Sequence, residues 1–518
     1  MKGGMEWSSQ QLNLTGFENL SGLPSQGREV LEIGLLLLFC LLLFFIFLYS
    51  LSQLHLLISY LRKRKDSTED LTGFENLLGL DHYPLVTIQL PLYNEKEVVE
   101  RLLNNIAQMD YPKEKLEIQV LDDSTDESAS ITQEIVSRLR ASDLNIHYLS
   151  RTSRRDFKAG ALKEGLKTAK GEFIAIFDSD FLPRPDWLKR TLPYFQEERI
   201  GVVQTRWGHL NRNFSLLTKV QAFALDFHFI LEQNGRNYSK NFINFNGTAG
   251  IWRRQCIMEA GNWQGDTLTE DLDLSYRAQL KHWKFRYLGA VDTPAELPIT
   301  MEAVRSQQFR WNKGAAENFQ KNFRKIMVAK DIPMGTRIHC FFHLLNSSLF
   351  LLTLGLSLLS LPILLLIGRE EYSVFFDLML FFGISSFIFF ISYWISYSHI
   401  HGKGFKAFLS FIGMFFSFFS IAMGFSLHNS RAVLEGHLGK KSQFVRTQKF
   451  NVLGSNFSRI PNQRKEEHVK IKPQLILEIL FLLYFIFAIF IGFWLNKYNM
   501  LLFHLMLACG YGFVVFHS

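Results

Sequence analysis

Apolar positions are unevenly placed along this chain. Long apolar runs occur at Leu31–Tyr60, Cys340–Ile367, Val374–Tyr397, Phe405–Leu427, Leu475–Leu495 and Met500–Phe516. Most reach the ~18 or more residues that cross a bilayer. Between about Pro84 and Asp331 the pattern changes, and no run there could span. Val86–Leu90, Leu116–Leu121, Ile146–Leu149 and Phe173–Phe177 have the length of strands. Glu97–Gln108, Ser128–Leu139 and Ala159–Thr168 have helical spacing. Such alternation predicts a mostly parallel sheet with helices on both faces. Ligands of such sheets bind beyond the carboxyl ends of the strands. The expected architecture is a Rossmann-like α/β domain inserted between transmembrane α-helices.

Composition sharpens the membrane reading. Hydrophobic residues make up 48% of the 518, but 50 of them are Phe, close to a tenth of the chain. With the long runs, this excludes a soluble enzyme, a disordered chain and a disulfide-stapled secreted domain. Cys40, Cys256, Cys340 and Cys509 are far apart with no CxxC spacing, so neither zinc nor a disulfide is expected. Leu31–Tyr60 starts too deep and runs too long for a cleaved signal peptide. It is followed by Arg62-Lys63-Arg64-Lys65, which places the N-terminus outside and the α/β domain in the cytoplasm. Arg431–Lys472 carries ten Lys/Arg and three Glu, nearly the whole net charge of +8, and is expected inside as well. Parity then makes Phe405–Leu427 an interfacial or re-entrant helix and leaves five spans. Leu14–Leu23 recurs as Leu71–Leu80 with nine of ten positions matching, a local duplication without a functional account.

Several constellations carry chemistry. Asp122-Asp123 and Asp178-Ser179-Asp180 follow apolar strands. Two carboxylates one residue apart at a turn can share a hard divalent cation, which would neutralise a diphosphate leaving group. Thr269-Glu270-Asp271 opens a helix to Leu280; from the residues alone an N-cap with first-turn acids explains it better than a general base does. Gln307-Gln308-Phe309-Arg310-Trp311 opens a basic amphipathic stretch, in which Trp311 could stack on a sugar and Arg310 could fork onto phosphate. Phe319–Lys330 reads as a helix lying on anionic lipid. Lys158 stands at a helix start, where it could meet phosphate or simply be solvated. Phe245-Asn246-Gly247-Thr248-Ala249-Gly250 reads as a small, flexible loop that lets backbone approach a ligand. No GxGxxG or GxxxxGK[ST] is present.

In order, these residues resemble the D, DxD, TED, QxxRW series of the processive family 2 glycosyltransferases. The wording at Leu90–Val98, Gln119–Asp126, Lys158–Gly165 and Phe245–Trp252 is most similar to the cellulose synthase-like A mannan synthases and their bacterial relatives. The resemblance implies a GT-A domain that uses a sugar nucleotide and a divalent metal, Mg2+ or Mn2+, with inversion at the anomeric carbon. It implies that Asp122, with Asp123 and Lys158, contacts the nucleotide sugar, and that Asp178 and Asp180 hold diphosphate and metal. It selects Asp271 as general base, and assigns Gln307, Arg310 and Trp311, with Glu270, Asn246 and Gly247, to diphosphate and acceptor. Phe444-Val-Arg-Thr447-Gln-Lys449 resembles a gating-loop motif, with Arg446 where Val is usual.

The expected organisation is an extracytoplasmic segment (1–30), a transmembrane helix (31–60), a linker (61–83), the catalytic domain (84–300) and amphipathic interface helices (301–335). Two transmembrane helices (340–397), an interface helix with gating loop (405–473) and two further spans (474–518) follow. No cyclic-di-GMP-binding domain is expected within the chain. The expected function is extension of a β-linked polysaccharide from GDP-mannose or UDP-glucose and its passage through the membrane. Sugar nucleotide, polysaccharide and membrane lipid are the expected partners, with room for export proteins and none for nucleic acid. The rivals are a glycolipid synthase making a single transfer to lipid, and a non-catalytic membrane scaffold or transporter.

Overall fold

The computed structural model describes residues 25–63, 83–442, 444–452 and 473–518. The repeated Leu14–Leu23 and Leu71–Leu80 segments, Arg64, Lys65 and the whole basic 453–472 stretch lie outside them.

Seven strands form one sheet in the order β3-β2-β1-β4-β6-β5-β7. They are β1 (Val86–Leu92), β2 (Leu116–Asp122), β3 (Ile146–Ser150), β4 (Phe173–Ile176), β5 (Ile200–His209), β6 (Gly250–Arg253) and β7 (Lys284–Ala295). The first four pair in parallel, and β6 runs antiparallel to β4 and β5. Because side chains alternate across the pleat, β4 feeds two cores. Phe173, Ala175 and Phe177 join the one containing Val99, Leu102 and Ile135. Ile174 and Ile176 join the one containing Leu162, Leu166, Trp252 and Trp263. The first core is covered by α2 (Val99–Ile106) and α3 (Ser128–Ala141), and α4 (Phe157–Thr168) packs on the other face. Strands β5 to β7 were not foreseen in the sequence.

Before the domain, α1 (Ser25–Lys63) is a single 39-residue helix. Within the domain, α5 (Leu216–Asp226) runs directly into a π-helical segment, Phe227–Gln233, and α6 (Glu270–Gln279) carries the Thr-Glu-Asp acids. Then follow α7 (Met301–Val328), α8 (Met334–Leu345), α9 (Leu349–Leu366), α10 (Ile384–His401), α11 (Phe405–Gly424), α12 (Ser426–His437), α13 (Pro473–Trp494) and α14 (Leu501–Phe516).

One expectation is corrected here. The 319–330 stretch does not lie free on a surface. Within α7, Phe319 and Phe323 stack on each other and pack against Phe341 of α8, while Asn318, Asn322 and Ile326 are buried. Among the described residues, five helical stretches are long and apolar enough to cross a bilayer: Gln26–Lys63, Met334–Leu366, Glu370–His401, Phe405–Gly424 and Pro473–Trp494. Phe405–Gly424 is therefore of spanning length. Leu501–Phe516, expected to span, has 16 residues, about 24 Å of helix against a ~30 Å hydrocarbon core.

Helices α11 and α14 touch backbone to backbone. A Cβ on Gly510 would stand 1.8 Å from the Ser420 carbonyl oxygen, and one on Gly424 would stand 2.4 Å from Gly510. Small residues permit this approach in an apolar bundle. Gly510→Val is therefore expected to cost about 3 kcal/mol through overpacking, read as a lowered melting temperature of the detergent-solubilised protein. An unchanged melting curve would mean that the two helices can part freely.

Candidate active site

The sequence motifs converge at the carboxyl ends of β1, β2 and β4, on one cavity. It is lined by Asp123, Lys158, Asp178, Asp180, Asn246, Gly247, Glu270, Asp271, Gln307, Arg310, Trp311, Phe444, Thr447 and Lys449. Fourteen of the fifteen residues named from sequence are thus gathered together. The exception is Asp122. It ends β2 pointing away from the cavity and is buried, with Oδ1 accepting from the Ser124 amide (2.9 Å) and Oδ2 from the Tyr148 hydroxyl (3.2 Å). Pleat alternation hands the cavity wall to Asp123 instead, whose carboxylate is forked by Arg151.

Asp178 and Asp180 lie just beyond β4. The Asp178 amide donates to Thr248 Oγ1 (2.9 Å), which ties the turn to the 245–249 segment. Each carboxylate faces an ammonium: Lys158 Nζ is 2.5 Å from Asp178 Oδ1, and Lys449 Nζ is 2.5 Å from Asp180 Oδ1. Lys158 also donates to the Gly247 carbonyl (2.9 Å). Burial works against its charge, but Asp178 and Glu270 hold its pKa above the ordinary lysine value.

The Thr-Glu-Asp series is not built as a helix cap. Thr269 makes no capping bond; its hydroxyl accepts from Asn318 Nδ2 (3.0 Å) of α7. Gly314 makes this docking possible, since a Cβ there would fall 2.5 Å from the Thr269 hydroxyl. Glu270 and Asp271 are left facing the cavity. Burial raises the pKa of both, and their mutual repulsion lifts Asp271 further, to about 7, against the pull of Lys158. Two positions on, Asp273 is the opposite case. It is fully buried, yet Arg277 (2.7 Å), Lys321 (3.0 Å) and Asn322 hold its pKa below the usual range despite the burial.

The segment 245–249 is packed into the domain. Phe245, Gly247, Thr248 and Ala249 are buried. The Phe245 amide is held by Ser275 Oγ (2.9 Å) and the Asn246 amide by Gln204 Oε1 (3.0 Å).

The gating-like segment is threaded into the cavity. Thr447 accepts from Arg310 (2.6 Å), Phe444 stacks on Phe157 and lies under the Arg310 guanidinium, and Phe450 N donates to Glu296. Arg446 is 3.0 Å from Glu95 and also donates to the Asn94 carbonyl. Glu95, within the quoted Leu90–Val98 wording, was missed as a site residue. It is a buried carboxylate whose pKa burial raises, although Lys449 and Arg446 oppose this. Arg154, laid 3.3 Å over the Tyr93 ring, was also missed. Its signal was an Arg just before a helix start, which is weak. With the segment in place the cavity measures about 210 Å³, below the ~300 Å³ at which ligand pockets begin.

Residues 84–314 match the family described as "Glycosyltransferase like family 2". This stretch is a family 2 glycosyltransferase domain of the cellulose synthase-like type. Over 279 residues the chain is 43% identical to probable glucomannan 4-beta-mannosyltransferase 7 of Oryza sativa subsp. japonica, covering 53% of this chain and 48% of that one. Over 270 residues it is 42% identical to glucomannan 4-beta-mannosyltransferase 9 of Arabidopsis thaliana, covering 51% of each. The chain spans about half the length of these curated relatives. Among solved structures, a mannosyltransferase from Pyrobaculum calidifontis in complex with GDP-Man and Mn2+ matches over 76% of this chain, at 18% identity and a TM-score of 0.46.

The two acids of α6 make opposite stability predictions. Asp271 has a folded pKa raised above its unfolded value, so its ionisation disfavours the fold as pH rises through about 7. Asp273 has a depressed pKa, so its contribution is present at neutral pH and is lost as pH falls below the unfolded value near 4. At pH 8, Asp271→Asn is expected to leave the melting temperature equal or a few degrees higher, whereas Asp273→Asn lowers it by several degrees. Thermal unfolding at pH 8 and pH 4 checks both: at pH 4, near the unfolded carboxylate value, the Asp271→Asn gain should have nearly vanished and the Asp273→Asn loss should be smaller. A loss of stability in Asp271→Asn at pH 8 would contradict the raised pKa.

Proposed function

We propose that the chain is a membrane-embedded inverting β-glycosyltransferase that extends a β-linked polysaccharide from a sugar nucleotide and passes it across the membrane. The observation that carries this reading is that one cavity brings the Asp178/Asp180 pair together with a second, separately placed carboxylate pair whose pKa is raised. The first pair suits a diphosphate and its counter-charge. The second suits proton removal near pH 7. Likeness to glucomannan 4-beta-mannosyltransferases favours GDP-mannose as donor, with UDP-glucose the alternative.

In this reading the acceptor hydroxyl lies against Trp311, whose indole is a platform for a sugar ring. Asp271 takes its proton as the new C–O bond forms on the face of the anomeric carbon opposite the leaving nucleoside diphosphate. Arg310, Gln307 and Lys158 face the charge that grows on the leaving oxygen, in a site with little water to screen it. Asp123 and Arg154 stand where the nucleoside enters.

A divalent cation fits Asp178 and Asp180. Both are hard oxygen donors, and each already faces a single positive charge in this structure. Mg2+ or Mn2+ held there would neutralise diphosphate charge. Lys449 and the ion compete for Asp180, so the 444–449 segment must withdraw or re-seat when the donor enters, as the small cavity also requires. The Lys/Arg asymmetry supports a cytoplasmic catalytic domain with an extracytoplasmic N-terminus.

The reading is tested by variants, by pH, by metal removal and by product size. Asp271→Asn is expected to bind sugar nucleotide with near-normal affinity and lose turnover by ~10²–10⁴-fold. Calorimetric donor titration beside nucleotide release separates the two effects, and near-wild-type release would remove Asp271 and leave Glu270. In the wild type, kcat should fall as pH drops below about 7, because the raised pKa makes Asp271 neutral there; a flat profile from pH 5 to 8 would deny it the proton. Asp180→Asn is expected to cost ~100-fold in turnover and to weaken Mn2+ binding measured by electron paramagnetic resonance. Full activity in excess EDTA would rule the metal out. Product size decides the acceptor: ethanol-insoluble polymer supports the proposal, and one sugar extracted into chloroform supports a glycolipid synthase.

A further inference from the structure

Behind the cavity a chain of hydrogen bonds leads from Asn246 into the first long apolar helix. Asn246 Oδ1 accepts from Gln233 Nε2 (2.7 Å), and Asn246 Nδ2 stands 3.1 Å from His228 Nε2. His228 Nδ1 stands 2.8 Å from Glu232 Oε2, and Glu232 Oε1 accepts from Gln53 Nε2 of α1 (2.7 Å). The Gln53 amide nitrogen also reaches the Tyr49 hydroxyl (2.8 Å), which donates to Asn346 Oδ1 (2.9 Å). Glu232 is 4% exposed, and the Arg236 guanidinium lies 3.5 Å from it.

Donor and acceptor roles along this chain are forced in sequence. The Gln233 amide nitrogen can only donate, and it also donates to the Asn244 carbonyl (3.0 Å). Asn246 must therefore turn its oxygen to Gln233 and its nitrogen to His228. That nitrogen can only donate, so His228 Nε2 must be bare and its proton must sit on Nδ1. The Glu232 carboxylate, an acceptor only, receives it. Asn246 is left with one N–H and one lone pair. A single sugar hydroxyl, donor and acceptor at once, uses both.

The backbone serves the same end. His228 and Glu232 lie in the π-helical segment Phe227–Gln233, a rare conformation that is frequent at functional sites. Apolar helices flank the segment: the Phe227 ring stacks on Tyr393 of α10 at 3.9 Å, and just beyond the segment a Cβ on Gly235 would fall 2.8 Å from the Leu56 carbonyl oxygen of α1.

We propose that His228 and Glu232 are positioning residues that hold the Asn246 amide in the orientation that reads a sugar hydroxyl, and that α1 completes this support through Gln53. The assignment rests on the glycosyltransferase reading above. It makes the first long apolar helix part of the active-site scaffold as well as an anchor.

A double-mutant cycle on the full-length protein in detergent tests it. His228→Ala, Asn246→Ala and the pair are assayed for nucleotide release with a β-mannooligosaccharide acceptor, alongside donor binding by calorimetry. Each single variant is expected to lower kcat/KM for the acceptor by about 10-fold or more, the scale of a misplaced polar contact, with donor affinity within about 2-fold. The double variant should be no worse than Asn246→Ala alone, because His228 acts only through Asn246. Glu232→Gln should reproduce the loss, since an amide can donate to Nδ1 and drive the imidazole proton to the nitrogen facing Asn246. Losses that multiply in the double variant, or an unchanged His228→Ala, would overturn the assignment. His228 is half-buried, so if Glu232→Gln fails to fold, the His228–Asn246 cycle decides alone. A wild type that turns over while the cycle is multiplicative sinks this inference only; a wild type that releases no nucleotide from any donor sinks it together with the reading it rests on.

Discussion

Like charge gathered in one place is the constraint around which the rest of this structure is arranged. Asp178, Asp180, Glu270, Asp271 and Glu95 all face the same cavity. Ionised together in a poorly solvated site, they would repel one another at a cost that burial enlarges. The fold answers with four cations from three different places: Lys158 from α4, Arg310 from α7, and Lys449 and Arg446 from the segment after α12. The compensation is uneven. The strand-end pair has a lysine on each carboxylate, whereas the α6 pair shares more distant charge and is left with raised pKa values. That inequality separates groups suited to holding charge from groups suited to exchanging a proton.

Helix α7 distributes this arrangement. Its Arg310 faces the cavity, its Gly314 and Asn318 seat Thr269, and its Lys313, wholly buried, donates to the Lys440 carbonyl and to Ser442 at the root of the gating-like segment. One turn before Phe309, Arg305 forks onto Glu478 of α13 with two bonds of 2.7 Å. Glu478 is wholly buried in an otherwise apolar helix, and a charge so placed needs such a partner. Site, segment and apolar helices are thus fastened to one 28-residue helix.

The sheet's first half was legible because its strands are short apolar runs bounded by acids and separated by amphipathic helices. Strands β5 to β7 were not. β6 has four residues and pairs antiparallel, and the long β5 and β7 mix Trp, Arg, His and Asp with their apolar positions. The site residues were legible as an ordered set, but not their individual environments. Asp122 and Asp123 look equivalent in sequence, and only the pleat tells which one faces the cavity. Thr269 has the chemistry of a helix cap and is recruited instead by Asn318. Glu95 and Arg446 form an ion pair between positions more than three hundred residues apart, which spacing alone cannot disclose.

The apolar helices show the same limit from the other side. Hydropathy located all of them, and charge parity then required one not to span. Parity selected Phe405–Leu427, and the 444–449 segment seated in the catalytic cavity fits that choice, since an odd number of crossings between the domain and the segment would part them. Helices α11 and α14 are the pair in backbone contact at Gly424 and Gly510. A helix too short for the hydrocarbon core can remain in it when a full-length neighbour covers its flank, because its backbone is already satisfied internally and only its ends need polar company. At its carboxyl end the Ser518 hydroxyl accepts from Arg305, the residue that anchors α13 to α7. The short helix is therefore joined at its end to the helix that organises the active site. A stable position for α14 follows from that junction and the glycine contact.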